Sequence, residues 1–158
     1  MPKTKCVQCN GTTKNGSRCK LHTCKYAPKC HYHTLVEVKK STLPGAGDGV
    51  FAKKDIKKDT IIGDYKVGTI KMTPAQTDAK YKGKGKRATH VWGPSGKVQY
   101  DGKVPPATSI AGKFNQCRKG QDCKSNGKIY GSGSIKATKN IKKGQEVYVT
   151  GYGRHGGQ

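Results

Sequence analysis

This sequence predicts a mostly β fold of short strands in several small sheets, preceded by a small metal-stapled segment. Three observations carry that reading. Glycine is abundant, 22 of 158 residues, which favours turns and short strands over a helical bundle. Apolar and polar residues alternate in brief runs, and no long amphipathic helix or internal repeat can be traced. Five of the seven cysteines and three of the five histidines fall within residues 1–34. Apolar residues are too sparse there for hydrophobic burial alone to hold a fold.

The elements follow in order. LVEVKKS (35–41) alternates as a strand does, LPGAGDG (43–49) reads as a turn, and VFA (50–52) as a second short strand. DIKKDTIIGDY (55–65) gives a turn and a strand from Thr60 to Tyr65. Residues 73–89 are polar, lysine-rich and interrupted by glycine, and are expected to form a mobile insertion. HVWG and KVQYDG form two more strands around the turn at 93–96, and SIAGKFN (109–115) makes one or two helical turns. KIYGSGSIKATKNI (128–141) holds two strands around a Gly-Ser-Gly turn, and GQEVYVTGYG (144–153) is the closing strand. The expected division is a Cys/His-rich module at 1–34, one domain at 35–154 and a flexible tail at 155–158.

Thirty-two Lys and Arg face nine Asp and Glu, a formal net charge of +23. Such a chain attracts polyanions at low salt. Because the lysines are scattered, charge alone does not separate nucleic-acid or chromatin association from a generally basic surface. No run approaches the roughly 18 apolar residues of a membrane span, and no apolar signal region opens the chain. The expected location is intracellular and reducing, where cysteines read as metal ligands or free thiols before disulfides.

Zinc prefers four thiolate or imidazole ligands in a tetrahedron, often from close pairs. Cys30-x-x-His33 supplies one pair, and Cys9 and Cys19 flank a Gly-rich turn and could supply the other two. Cys6, at Cys-x-x-Cys spacing from Cys9, rivals Cys19, and Cys24 is a further reserve. A bound metal would supply the folding energy that a core cannot. The site reads as structural. The stretch CNGTTKNGSRCKLHTCKYAPKCHYH resembles small Cys/His zinc modules that sit beside other domains in algal and large-virus proteins.

Gly45-Ala46-Gly47-Asp48-Gly49 could bring backbone amides against an anionic ligand. It lacks the spacing and βαβ context of a dinucleotide fingerprint, and no Gly-Lys-Ser/Thr ends it as in a P-loop. Together with its surroundings it carries more. VEVKKSTLPGAGDGVFAKKDIKKDTIIGDY resembles the opening of a SET domain: a strand, a Gly-x-Gly loop, an aromatic-Ala strand, an acidic-Ile-basic turn and a strand ending in acidic-Tyr. VQYDG, AGKFNQC and SIKATKNIKKGQEVYVTGYG resemble the family's central, cofactor-binding and closing segments, with Asn126 at the place of a second family asparagine. The resemblance spans roughly 120 residues, stronger at its ends than in its middle.

That resemblance implies a SET-domain protein-lysine methyltransferase, with a C-terminal pseudoknot, an S-adenosylmethionine pocket and a lysine channel. It implies cofactor contacts from Gly47, Asp48, Gly49, Asn115 and Gln116, a channel wall at Tyr65, and a catalytic tyrosine at Tyr152. Histones are its favoured substrate, and the basic surface could meet nucleosomal DNA. Three departures stand out. Gln116 replaces the usual His, CRKGQDCKSN replaces the usual Ser-Cys-x-Pro-Asn, and one extra residue separates Glu146 from Tyr152. We read the last as an insertion that keeps the Tyr152-Gly153 pair. No Cys-rich segment follows residue 153, which suggests a minimal viral-type domain completed by homodimerisation, in a nucleus, viral factory or virion. The competing reading is a catalytically weak SET-like scaffold that binds chromatin or DNA.

Other residues have plainer readings. Cys117 and Cys123 are expected to be loop thiols, His90 a packed strand residue, His155 solvated, and Tyr148 sheet packing. Tyr100 reads equally as channel or core. Lys80, Tyr81, Lys82, Lys84, Lys86 and Arg87 could grip phosphate or an acidic surface, or form a solvated loop.

Overall fold

The computed structural model describes residues 3–85, 90–103, 107–118 and 120–152. The expected tail at 155–158, with His155, and Lys86 and Arg87 lie outside the described residues. The expected class holds: the chain folds as small sheets. Strands β1 (Val7–Gln8) and β2 (His22–Thr23) pair antiparallel. Strands β3 (Val36–Lys40) and β4 (Asp48–Ala52) form a five-residue antiparallel ladder. Its connection, residues 41–47, contains the Gly-rich loop, with Gly45 and Gly47 at φ of +74° and +71°, where L side chains are strained.

Strands β5 (Ile61–Asp64), β6 (Ile70–Met72), β7 (Val91–Trp92) and β8 (Gln99–Asp101) follow. The last three form a sheet in the order β6-β8-β7. Strands β9 (Gly127–Ile129), β10 (Ser134–Ala137) and β11 (Val149–Thr150) join β5 in the order β11-β9-β10-β5. The β11–β9 pair is parallel. The closing segment is bonded on several sides: Val147 N–H to the Val50 carbonyl, Val149 N–H to the Asn115 carbonyl, and β11 to β9. Such insertion of a late segment among three earlier ones is what a C-terminal pseudoknot requires.

The main core gathers Val36, Val50, Tyr65, Trp92, Phe114, Ile135, Val147 and Tyr152 from all parts of residues 36–152. A smaller cluster around Ile70, Met72, Tyr81 and Val91 sits beneath the third sheet. No helix among the described residues is long and apolar enough to cross a membrane.

The region expected as a mobile insertion begins instead with a helix, α1 (Pro74–Lys80). Thr73 caps it: its hydroxyl accepts from the Gln76 N–H while the Gln76 side chain accepts from the Thr73 N–H. This is a capping box with proline at the first helical position. Lys80 and Tyr81 do not face outward to grip a ligand. Both bond the fully buried carboxylate of Asp101, which also accepts from the Lys103 N–H at 2.9 Å. The helix is thereby fastened to β8.

Candidate functional site

Three segments distant in sequence meet beside the Gly-rich loop. Asn115 follows a 3-10 turn at Ala111–Lys113. Its side-chain N–H groups reach the Asp48 carbonyl at 2.9 Å and Glu146 Oε1 at 3.2 Å. Glu146, from the closing segment, also accepts from the Ser41 hydroxyl at 2.6 Å, the Thr42 N–H at 3.0 Å and the Thr42 hydroxyl at 2.6 Å. The Tyr148 hydroxyl adds a fifth bond at 2.9 Å, so Tyr148 serves this network rather than only a packed sheet face. Burial would raise the Glu146 carboxyl. The Ser41 and Thr42 donors outweigh it and hold the group below its ordinary value. Glycine is required at position 49, since a Cβ there would lie 2.1 Å from Glu146 Oε1.

The loop and the Asn115 segment wall a cavity of about 290 Å³, lined by Leu43, Pro44, Gly45, Ala46, His90, Gly112, Phe114, Asn115, Gln116, Arg118, Gln121 and Tyr152. Gly47, Asp48 and Gly49 are not among its lining; the Gly47 carbonyl accepts from the Ser41 N–H at 2.8 Å and the Asp48 carbonyl from Asn115. Asp48 reaches Lys113 Nζ at 3.0 Å across the two segments.

Tyr152 is buried and donates its hydroxyl to the Phe114 carbonyl. Burial pushes this phenol well up, so it stays protonated. The residue before it explains how it arrives there. Gly151 has φ +96°, and a Cβ on it would meet the Ile129 carbonyl at 2.5 Å. The backbone thus makes a left-handed turn at Gly151 that favours glycine, and Tyr152 lines the cavity.

Tyr65 lines no part of that cavity. It is fully buried, edge-on to Tyr152 at 5.9 Å and against Trp92 at 5.8 Å, with its hydroxyl on the His90 carbonyl at 2.7 Å. Burial, then the neighbouring Tyr152 and Asp101, raise its phenol strongly. Tyr100 stacks on Trp92 at 5.5 Å, and so belongs to the core behind the site. His90, expected as a plain strand residue, stands on the cavity wall, and burial followed by Lys103 lowers its imidazole. No local motif signalled it; only the approach of the β7 end to Gly102 places it there.

The second cluster lies in the N-terminal module. Ligand atoms of Cys9, Cys19, Cys30 and His33 all fall within 4.8 Å of one another. Cys19 and Cys30 sulfurs are 3.9 Å apart, and His33 Nδ1 lies 3.5 Å from Cys9 and 3.3 Å from Cys30. Two sulfurs about 2.3 Å from a tetrahedral zinc would stand about 3.8 Å apart, so these donors fit that ion. His33 Nε2 is 3.1 Å from the Thr12 carbonyl. A proton there donates to that carbonyl and leaves Nδ1 as the donor to a metal. Burial alone would raise the Cys9 thiol, yet the Cys30 and Gly11 N–H groups that point at its sulfur help bring it to about 6. Gly11 is needed because a Cβ would strike the His33 ring at 2.4 Å.

Cys6 and Cys24, the alternative ligands, are instead joined to each other as a disulfide. Cys117 and Cys123 form a second disulfide, not the loop thiols expected, and the loop it closes carries Arg118 and Gln121 of the cavity rim. In both cases the fold brings together sulfurs that no spacing rule had paired.

Comparison with known proteins agrees with this fold. The SET domain family matches residues 47–152. No curated protein sequence matches the chain. Among solved structures, ctPRC2 in an autoinhibited conformation bound to S-adenosylmethionine matches at 20% identity and TM-score 0.56, covering 77% of this chain and 15% of that one. An active polycomb repressive complex 2 in the stimulated state gives 18% identity and TM-score 0.56, with coverage of 77% and 15%. The basal state of an active polycomb repressive complex 2 gives 17% and 0.57, with coverage of 78% and 17%. These likenesses establish a shared fold, and the present chain spans about a sixth of those polypeptides or less.

Proposed function

The chain belongs to the SET-domain family, and from that premise we propose that it transfers methyl groups from S-adenosylmethionine to lysine side chains of proteins, histones foremost. The observation that carries the reading is the meeting of the Gly-rich loop, Asn115, Gln116 and Tyr152 at one cavity. Asn115, tied to Asp48 and Glu146, fixes the spacing between the loop and the closing strand, and the cofactor would lie between them. Bound there, S-adenosylmethionine supplies a methyl carbon on a sulfonium.

The chain's residues then have three tasks. The cavity must strip water from the incoming lysine, which favours the neutral amine that alone has a lone pair. Tyr152, kept protonated and anchored on the Phe114 carbonyl, would orient that amine for transfer. Tyr65 holds the Tyr152 ring from behind, as a positioning residue. The bound cofactor would supply the methyl group, and the lysine amine held by these residues would shed its surplus proton to solvent.

We read the Cys9, Cys19, Cys30 and His33 cluster as a structural zinc site of an N-terminal module related to those of algal and large-virus proteins. A homodimer docked on nucleosomal DNA through its basic surface, in a nucleus or viral factory, is consistent with the +23 charge.

The test is transfer of label from methyl-labelled S-adenosylmethionine to core histones and nucleosomes, beside Tyr152→Phe. Label on a histone, falling about 100-fold in the variant, is expected. Zinc-loaded, folded protein that labels neither histones nor any protein of a cell lysate overturns the enzyme reading in favour of a chromatin-binding scaffold.

A further inference from the structure

We propose that the N-terminal module binds single-stranded nucleic acid, with the exposed His31–Tyr32 ring pair as its stacking platform. The inference goes beyond methyl transfer and uses none of the cavity residues.

Its first support is where exposed apolar surface falls. Among the described residues the exposed large hydrophobic side chains are Val7, Leu21 and Tyr32, all within the first 34 positions. Tyr32 is 71% exposed, and its ring lies 4.0 Å, centroid to centroid, from that of His31, which is also exposed. A tyrosine that exposed contributes little to folding.

Rigidity is the second support. Tyr32 sits between Cys30 and His33, two members of the four-donor cluster. The His33 and Thr34 N–H groups both bond back to the Cys30 carbonyl, at 3.0 and 2.8 Å. On the preceding residue, Lys29 Nζ reaches Asn10 Oδ1 at 3.1 Å. The turn is therefore held at both ends while its rings project outward. A ligand stacking on them would lose little conformational entropy by ordering the site.

Charge selects the ligand. The first 36 residues hold seven Lys and Arg and no Asp or Glu. Backbone phosphates meet such a surface favourably, and unpaired bases offer the flat faces that aromatic rings stack upon. Duplex bases are already stacked and cannot use the platform. An acidic protein could satisfy the lysines but would have no use for the ring pair.

The experiment uses the full zinc-loaded chain and a fluorescein-labelled oligothymidylate of about 20 nucleotides, long enough to cover one small site. Binding by anisotropy is measured across salt concentrations for the parent, Tyr32→Ala and Tyr32→Phe. The expected result is a steep fall with salt, about tenfold weaker binding by Tyr32→Ala, and near-parental binding by Tyr32→Phe. Zinc content and thermal midpoint of both variants are expected to match the parent. Equal binding by parent and Tyr32→Ala overturns the proposal. So does polyglutamate that competes as well as the oligonucleotide at equal charge, which would assign the surface to acidic proteins. A duplex bound as tightly, and as indifferent to Tyr32, would overturn it too.

Discussion

Glu146 ties three distant parts of the chain together. Its two oxygens accept five hydrogen bonds from the Ser41–Thr42 turn, Asn115 and Tyr148. Each donor favours the charged carboxylate, and together they overcome the burial that opposes it. Because the folded state holds this pKa below its usual 4.5, the stabilisation is complete above that value. It is lost as pH falls through the depressed one. Asp64 works in the opposite sense: burial raises its carboxyl, so its contribution improves as pH falls. The acid sensitivity predicted here therefore belongs to Glu146. Urea unfolding of the parent should show stability dropping as pH is lowered from about 5 to 3.5. Glu146→Gln should be less stable at pH 7, because an amide cannot accept from five donors, and flatter toward acid. Parallel pH curves for the two proteins would remove Glu146 as the source. The sequence placed this residue in a family-like Gly-x-Glu. Its donors were not legible, since Ser41 lies 105 positions away and only the folded chain joins them.

At the scale of elements, the closing segment decides whether Tyr152 reaches the cavity. In the sequence the extra residue after Glu146 was visible only as an irregularity. In the fold the backbone just before Tyr152 turns at Gly151, φ +96°, against the Ile129 carbonyl. Gly151→Ala adds a carbon at a 2.5 Å approach to backbone, in a conformation that costs an L residue about 1–2 kcal/mol before any clash. The variant should lose at least about 2 kcal/mol of unfolding free energy and most cofactor binding. Denaturant titration and S-adenosylmethionine calorimetry would measure these, and an unchanged variant would show that the turn is not what delivers Tyr152. Helix α1 teaches a related lesson. Lysines and glycines concealed it, yet Thr73-Pro74-Ala75-Gln76 is a capping signal readable in the sequence. What could not be read was its anchor, the buried Asp101 on β8, which Lys80 and Tyr81 reach from 21 and 20 positions away.

Over the whole molecule, the N-terminal module and the cavity are mechanically joined. The Thr4 N–H bonds the Thr69 carbonyl at 2.8 Å, and Lys3 bridges to Ile70. Tyr26 packs on the main core. Most directly, the Lys25 carbonyl accepts from the Ile110 N–H at 2.9 Å, and Ile110 opens the turn that leads through Gly112 and Phe114 to Asn115. Contacts between residues so far apart leave no local trace in the sequence. The cluster of Cys9, Cys19, Cys30 and His33 buries three cysteines as the module's own small core. Without a metal, that core is three thiols and an imidazole, and the Cys6–Cys24 disulfide is left as the segment's internal cross-link. Removing the metal with a strong chelator should lower the thermal midpoint by more than about 10 °C. It should also weaken S-adenosylmethionine binding, although no cluster residue touches the cavity, because the Lys25–Ile110 tie would loosen the Asn115 segment. Cys30→Ser should reproduce both effects without chelator, and added zinc should reverse only the first treatment. If the metal-free protein melted lower yet bound cofactor with parental affinity, the module would be a stabilised appendage, and the Asn115 segment would be held by Asp48 and Glu146 alone.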